Sequence, residues 1–210
     1  MTELHLTPAR EADLPAAATL LAHAFRHDPV MAALVPEGRR LERLTTLFTA
    51  LLRGAAFETG SVDLARRAGD DEILGVAAWE GPGAASLPWR QLPGYLAALG
   101  LPGVIRAAVL SSRLERHRPR SPHWYLSQIG VSPAARGLGV GSALLRSRLE
   151  TLDVTRTTAY LESSTPDNRR LYSRLGFEEI APIRGIRGAS PMAMLRPPAP
   201  ARHAVPARAV

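Results

Sequence analysis

The sequence contains neither cysteine nor lysine, and these two absences exclude several kinds of chemistry. Without cysteine there is no disulfide framework, no thiolate nucleophile and no cysteine-ligated zinc or iron–sulfur site. Without lysine there is no Schiff-base chemistry on a side chain and no Walker-type phosphate loop, because both need an ammonium group. All 26 basic side chains among the 210 residues are therefore arginine.

Long apolar runs are also missing. No stretch approaches the ~18 uninterrupted apolar residues of a membrane-spanning helix, and residues 1–10 lack the basic-then-apolar order of a secretory signal. The 46% hydrophobic content is nevertheless enough to bury a core. We therefore expect a cytoplasmic protein with no membrane partner. Its length predicts one domain over 1–196, with a helical insertion at about 81–122 and a disordered Pro/Ala/Arg tail at 197–210.

Charge is unevenly distributed along the chain. Residues 1–80 hold 8 arginines and 12 acidic side chains, a net −4, whereas residues 81–210 hold 18 arginines and 7 acidic side chains, a net +11. This asymmetry indicates that the C-terminal half meets an anion, either nucleic acid or a phosphorylated small molecule. We do not expect nucleic acid, because the arginines are not interleaved with aromatic side chains that would stack on bases.

Hydrophobic periodicity predicts a mixed sheet with helices on its faces, an α/β fold of the α+β mixed kind. The predicted strands lie at 4–6, 62–64, 73–79, 123–131, about 157–163, 177–182 and 192–195, and the second and third form a hairpin. The first two predicted helices lie at roughly 13–26 and 37–59, and a break at 27–29 ends the first of them. Two short helices are predicted in the insertion, one helix after the glycine-rich turn at 136–141, and one from Thr165 onward.

The turn Arg136–Gly137–Leu138–Gly139–Val140–Gly141 lies between a predicted strand and a predicted helix. Its alternate glycines let backbone N–H groups converge, because no Cβ blocks positive φ or close approach of a ligand. The following helix adds unpaired amides and the positive end of its dipole, and Arg136 adds a permanent charge. The turn therefore predicts a pyrophosphate site. Two alternatives remain. One is an ordinary surface turn, and the other is a dinucleotide fold, in which Glu162 would be the acidic residue 21 positions after Gly141.

A second block, at 160–177, makes a resemblance specific. Its core is Asn168, Tyr172 four residues later, and the triplet Leu175–Gly176–Phe177. With the pattern Arg136-x-x-Gly139-x-Gly141 after a strand, this block resembles the GNAT (GCN5-related) N-acetyltransferase superfamily. The flanking sequences WYL…GVSP and LESS…N…LY are similar to its branch of puromycin-type small-molecule acetyltransferases. The resemblance covers 123–180 and, more loosely, 3–80, but not 81–122.

The resemblance implies a single acyl-CoA N-acyltransferase domain over 1–196, using acetyl-CoA as acyl donor and no metal. Its central mixed, largely antiparallel sheet would be splayed between strands 4 and 5, with helices on both faces. The pantetheine arm of acetyl-CoA would insert there as an additional strand, pairing with the backbone of Ile129 and Val131. The amides of Arg136, Gly137, Leu138, Gly139, Val140 and Gly141 would hold the pyrophosphate, and one of them, or an amide near Ile129, would polarise the thioester carbonyl.

The resemblance also assigns roles to individual side chains. Asn168 would contact the pantetheine or sulfur region, and Tyr172 would protonate the departing thiolate; a helix cap and a packed aromatic are the structural alternatives. For the base that accepts the ammonium proton, Glu162 is the first candidate, Glu80 the second and ordered water the third. Glu162 could equally be an arginine-paired carboxylate.

Acceptor specificity is expected from the first helices and the insertion. His123 and Tyr125 are candidates for binding the acceptor, whereas Trp79, Trp89, Tyr95 and Trp124 are pocket or core residues, with core favoured for most. The run Arg113, Arg116, Arg118 and Arg120 is interpreted as a solvated basic face, with contact to the 3′-phosphate of the cofactor as the alternative.

The resulting hypothesis is an acetyl-CoA-dependent N-acetyltransferase that acts on the amine of a small molecule by direct attack in a ternary complex. The alternatives are a non-catalytic acyl-CoA-binding module and an acetyltransferase that acts on a protein or peptide amine. A homodimer is left open.

Overall fold

The structure, a computed structural model, describes residues 4–84 and 89–199 and is organised around one seven-stranded sheet. The strand order is β1-β2-β3-β4-β5-β7-β6. The strands are β1 (Leu4–Pro8), β2 (Ser61–Arg67), β3 (Ile73–Glu80), β4 (His123–Val131), β5 (Thr158–Ser163), β6 (Glu178–Pro182) and β7 (Met192–Arg196). Residues 200–210 of the predicted tail lie outside the described residues.

The sheet is mixed, and one strand pair gives it this character. The ladders β1–β2, β2–β3, β3–β4, β5–β7 and β6–β7 are antiparallel, whereas β4 and β5 run parallel. Their ladder joins residues 123–126 to residues 158–161, although β4 continues to Val131 and β5 to Ser163. The two strands therefore separate beyond Leu126 and Leu161. This confirms the predicted fold class, including the splay between strands 4 and 5.

Helices cover both faces of the sheet. They are α1 (Leu14–Ala24), α2 (Pro29–Leu34), α3 (Arg40–Leu51), α4 (Phe57–Thr59), α5 (Leu92–Glu115), α6 (Val140–Thr155) and α7 (Pro166–Ser173). A π-helical segment, Leu52–Ala56, joins α3 to α4. One core cluster gathers α1, α3 and part of α5 against one face of the sheet, and a second gathers α6 and α7 against the other.

One helical feature differs from the sequence-based expectation, and another agrees with it. The segment 27–29 is more than a break, because the Asp28 carboxylate accepts hydrogen bonds from the amides of Val30 and Met31 at 2.9 and 3.0 Å and so caps α2. In the insertion, α5 consists of two helical segments separated by non-helical Gly100, with φ +65° and ψ 170°, which confirms the two predicted short helices. A backbone with that φ favours glycine, and Pro102 lies two residues later, near the start of the second helical segment.

Candidate active site

The glycine-rich turn after β4 has the backbone that its sequence predicts. Gly137 and Gly139 have φ of +79° and +80°, and Gly139 is the N-cap of α6. A Cβ on either glycine would meet nothing within 4 Å, so the positive φ, and not crowding, is what favours glycine there. The space above these residues is open to a ligand, as a cradle for an anion requires.

Some backbone amides of the turn already donate hydrogen bonds within the turn, so fewer of them can bind a ligand in this space. The amides of Arg136 and Leu138 donate to the carbonyls of Pro133 and Ala135, at 3.4 and 3.3 Å. An α-helix leaves its first N–H groups without intrahelical partners. The amides at the start of α6, beginning with Val140 and Gly141, are therefore the ones best placed to bind a pyrophosphate, together with the helix dipole.

A β-bulge at Ser127 changes which side chains of β4 point to each face of the sheet. Ala78 of β3 pairs with Gln128 but the next residue, Trp79, pairs with Leu126, so Ser127 is the extra residue. Its hydroxyl donates to the Ala78 carbonyl at 3.2 Å. Because the bulge shifts the alternation by one, Leu126 and Ile129 pack into the same core cluster although their numbers differ in parity.

The register of β4 also determines where its backbone groups point. The Ser132 amide donates to the Leu74 carbonyl at 2.8 Å, and hydrogen-bonded pairs alternate along an antiparallel ladder. Gly130 therefore bonds to β3, whereas the N–H and C=O groups of Ile129 and Val131 point away from β3 and into the gap left by β5. These two backbones face the gap, and their pairing with an extended ligand segment stays a prediction.

Two carboxylates lie where the gap narrows. Glu80 is the last residue of β3 and pairs with Tyr125, while Glu162 directly follows Leu161, the last β5 residue that pairs with β4. The Nε of Arg118 lies 3.7 Å from Oε1 of Glu162, an ion pair without a hydrogen bond. The Arg118 guanidinium carbon also lies 3.8 Å from the ring centroid of Tyr125.

Burial controls the ionisation of this cluster. It raises the pKa of Glu80 to about 7, against the opposing charge of Arg118 and with a further rise from Glu162. Burial likewise raises the pKa of Glu162, again against Arg118, and raises that of the Tyr160 hydroxyl. The Glu162 Oε1 and Tyr160 hydroxyl oxygens are buried without a hydrogen-bond partner among the described residues. The cluster therefore contains two carboxyls that hold protons more tightly than usual.

Asn168 and Tyr172 lie on the other side of the gap, on α7. The N-cap of α7 is Thr165, whose hydroxyl accepts a hydrogen bond from the backbone N–H of Asn168 at 3.3 Å. The alternative that Asn168 is the capping residue is therefore wrong. Asn168 is exposed. Tyr172 is buried edge-on against Phe177, with ring centroids 6.0 Å apart, and burial raises the pKa of its hydroxyl.

A cavity of about 450 Å³ connects these groups. Glu80, Glu162, Ile129, Asn168 and Tyr172 all line it, so the structure brings together most of the side chains that the sequence analysis selected. Val131 and the turn at 136–141 do not line it; they lie further along β4, toward and beyond its end. The far wall of the cavity is apolar and comes from α2, α3 and α5, chiefly Val30, Met31, Leu47, Leu51, Leu92, Tyr95, Leu99, Val104, Leu110 and Leu114.

Two expectations about the neighbouring residues need revision. Of the four aromatic candidates, Trp89 and Tyr95 line the cavity, whereas Trp79 and Trp124 belong to the core cluster under α6. Arg118 is not part of a solvated basic face: only 17% of its side chain is exposed, and it lines the cavity beside Glu162. Nothing in the run of four arginines distinguishes Arg118 by sequence.

Within residues 4–84 and 89–199, no group of three or more histidine, aspartate or glutamate side chains is arranged to hold a metal ion.

Comparisons with known proteins indicate one family. Residues 96–179 match the family model described as an acetyltransferase (GNAT) domain. Over 141 residues, or 65% of this chain, the sequence is 33% identical to the GCN5-like protein acetyltransferase Rv2170 of Mycobacterium tuberculosis. The matched region is 62% of that relative's length.

Solved structures extend the similarity over the whole fold. A crystal structure from Corynebacterium glutamicum, named histone acetyltransferase HPA2 and related acetyltransferase, is 29% identical with a TM-score of 0.71, covering 96% of this chain and 99% of that one. The ribosomal-protein-S18-alanine N-acetyltransferase of Escherichia coli shares the fold at 16% identity, with a TM-score of 0.56 and coverage of 96% and 99%.

Proposed function

The chain contains a GNAT acetyltransferase domain, and from this premise we propose that it transfers an acetyl group from acetyl-CoA to the amine of a small, largely apolar molecule. The transfer is a direct attack within a ternary complex. The observation that carries the proposal is the carboxyl pair Glu80 and Glu162, which lies where β4 and β5 separate and faces a mostly apolar cavity of about 450 Å³.

The donor would occupy the gap between β4 and β5. Its pyrophosphate would bind at the start of α6, where the amides from Val140 onward and the helix dipole favour a dianion, with Arg136 exposed beside them. Its pantetheine arm would pair with the outward-pointing backbone of Ile129 and Val131. Asn168, at the cavity edge on α7, would contact the arm near the sulfur.

The acceptor would occupy the apolar cavity with its amine at the acid pair. The walls from α2, α3 and α5 suit an aliphatic or aromatic body, because burying apolar surface there is favourable. Two carboxyls close together in a cavity whose walls are mostly apolar suit a single ammonium group. A cavity of this size holds a small molecule or one side chain.

Attack requires the free-base amine, so the ammonium must first lose a proton. The coupled pair Glu80 and Glu162 accepts it, and the two carboxyls are expected to titrate together. A base with a pKa of about 7, as burial gives Glu80, is deprotonated often enough at neutral pH and still holds the proton well. The neutral amine then attacks the thioester carbonyl and forms a tetrahedral oxyanion.

Collapse of that oxyanion breaks the carbon–sulfur bond. The backbone N–H of Ile129 would stabilise the oxyanion, since it points into the gap. Tyr172 would donate its proton to the departing thiolate of coenzyme A, and the proton that the attacking nitrogen loses as it becomes an amide would return Tyr172 to its neutral form. The raised pKa of Tyr172 keeps its hydroxyl protonated until that moment.

The proposal is tested directly by measuring the coenzyme A that is released, which a thiol reagent detects. The chain has no cysteine, so every thiol detected comes from the product and none from the enzyme. We expect turnover with apolar primary amines and little with short polar amines. Absence of turnover with any amine, together with tight binding of acetyl-CoA, would establish a non-catalytic binding module in its place.

Acetylation of a protein or peptide amine is the second candidate, because the curated relative is named a protein acetyltransferase. A panel that includes lysine peptides and free N-terminal peptides separates the two. Turnover confined to the peptides would refute the small-molecule proposal. The enzyme has no lysine of its own, so acetyl-lysine detected in such a mixture belongs to the substrate.

A further inference from the structure

The outer face of α5 carries a row of exposed apolar side chains. Among the described residues the large apolar side chains of this segment are unusually open to solvent: 80% for Trp89, 65% for Leu101 and 58% for Ile105. Leu92 and Leu96 lie one turn apart before the break at Gly100, and Leu101, Ile105 and Val109 follow at four-residue spacing after it. The α5 stripe is defined as Trp89, Leu92, Leu96, Leu101, Ile105 and Val109.

The α5 stripe is not the hidden side of a core helix. The segment Trp89–Glu115 is long and apolar enough to cross a membrane by length and composition, with a mean hydropathy of 1.4, yet only 28% of the residues in its most apolar window are buried. Its opposite side lines the cavity and packs against α3. The helix therefore stays attached to the domain and presents its apolar outer side. Contiguous exposed apolar patches on soluble domains mark interaction sites.

Charge around the α5 stripe limits what can cover it. The sequence has no acidic residue between positions 81 and 114, whereas Arg90 and Arg106 are exposed beside the stripe and Arg116 is exposed at its end. The Arg90 guanidinium carbon lies 5.7 Å from the centroid of the Trp89 ring. An apolar row bordered by arginines, with a tryptophan at one end, matches the chemistry of helices that lie in a membrane interface.

We propose that the α5 stripe docks on an anionic lipid surface. The apolar side chains would enter the boundary between headgroups and acyl chains, and Arg90, Arg106 and Arg116 would meet the phosphates. A second copy of the chain fits less well, because two stripes in contact would bring arginine-rich borders together. The sequence alone predicts no membrane partner, because the exposure of the apolar side of α5 becomes visible only in the fold.

Docking in this orientation has a consequence for the cavity. Trp89 and Leu92 belong to the α5 stripe and also line the cavity, so the cavity mouth opens beside the docked face. A lipophilic amine dissolved in the membrane would then enter without crossing water. This consequence rests on the proposed function, whereas the docking itself does not.

Co-sedimentation with vesicles tests the docking. The full chain is mixed with vesicles of phosphatidylcholine alone or of phosphatidylcholine with phosphatidylglycerol, at low and high salt. We expect binding to the anionic vesicles, weakened by salt, and at least about tenfold weaker binding for the double variant Ile105→Glu/Val109→Glu. The matched control is Val154→Glu, because Val154 is an apolar residue 86% exposed on α6, outside the stripe. It should bind like the unmodified chain.

Two further measurements keep the outcome clear. The variant Arg90→Gln/Arg106→Gln leaves the apolar packing untouched and should lose most of the preference for anionic vesicles. Sedimentation velocity without vesicles reports whether the stripe joins two copies. The proposal is overturned if the unmodified chain ignores anionic vesicles, if the Ile105/Val109 variant binds them as well as the control, or if that variant merely converts a dimer to a monomer. Acetyl-CoA turnover in solution separates these results from failure of the proposed function.

Discussion

Replacing Glu80 with glutamine should stabilise the protein, and the gain should grow with pH. Burial raises the pKa of Glu80 from an ordinary value of 4.5 to about 7, against the opposing charge of Arg118. A carboxyl whose pKa is raised in the folded state favours folding fully below about pH 4.5, and this contribution is lost as pH rises through 7. Glutamine has nearly the same shape and never ionises.

The magnitude follows from the two pKa values. Above pH 8 the folded state must hold Glu80 ionised in surroundings that disfavour the charge, and the difference between 4.5 and about 7 corresponds to about 3 kcal/mol. At pH 5 Glu80 is protonated in the folded state and only partly ionised when unfolded, so the cost there is under about 1 kcal/mol. The stability difference between Glu80→Gln and the unmodified chain should therefore increase by about 2 kcal/mol between pH 5 and pH 8.5.

Urea unfolding at several pH values measures this difference. The control variant is Glu179→Gln, because Glu179 is an exposed carboxylate on β6 and its replacement changes the net charge equally. A stability difference that stays constant from pH 5 to 8.5 would refute the assignment of a raised pKa to Glu80, and with it the argument that burial prepares this residue to accept a proton.

Three further predictions concern catalysis and binding of the cofactor. Tyr172→Phe should lower kcat by about a hundredfold or more while leaving the Kd for acetyl-CoA nearly unchanged, as expected for a general acid; an unchanged kcat in stopped-flow thiol release would remove Tyr172 from the mechanism. Gly139→Ala should raise the Kd for acetyl-CoA, measured by calorimetry, by about tenfold, because a φ of +80° strains alanine by about 1 kcal/mol or more. The control is Gly188→Ala, where a φ of +74° should strain alanine equally without changing the Kd for acetyl-CoA. Arg118→Gln removes the charge that lowers the pKa of Glu80, so the acidic limb of the kcat/KM profile should move to higher pH; a profile that does not move would show that the limb belongs to another group.

Much of the fold could be predicted because its signals are local. Alternation along 123–131 and the glycine spacing at 136–141 each report on a few neighbouring residues, and the structure has a strand and a turn at these places. The splay between strands 4 and 5 came from the resemblance and not from periodicity. It is visible in the structure because β5 stops pairing with β4 after Leu161.

The parts that could not be predicted depend on contacts between distant segments. Arg118 and Glu162 are 44 positions apart in sequence, yet they form an ion pair at 3.7 Å. Their meeting depends on where α5 ends and where β5 diverges, and neither location has a signal in the run of arginines around Arg118. Likewise, the sequence gives no sign that the apolar pattern of α5 serves two surfaces, one facing the cavity and one facing solvent.

The bulge at Ser127 connects the fold to the chemistry. In a regular strand, Tyr125 and Ile129 would share a face, and the side chains near the acid pair would be the same ones that pack beneath α6. The extra residue shifts the alternation, so that Tyr125 stays with Arg118 and Glu162 while Ile129 joins the core cluster with Leu126. One residue inserted in β4 thus lets a single strand bring its backbone to the gap, a tyrosine to the acid pair and an apolar side chain to the core.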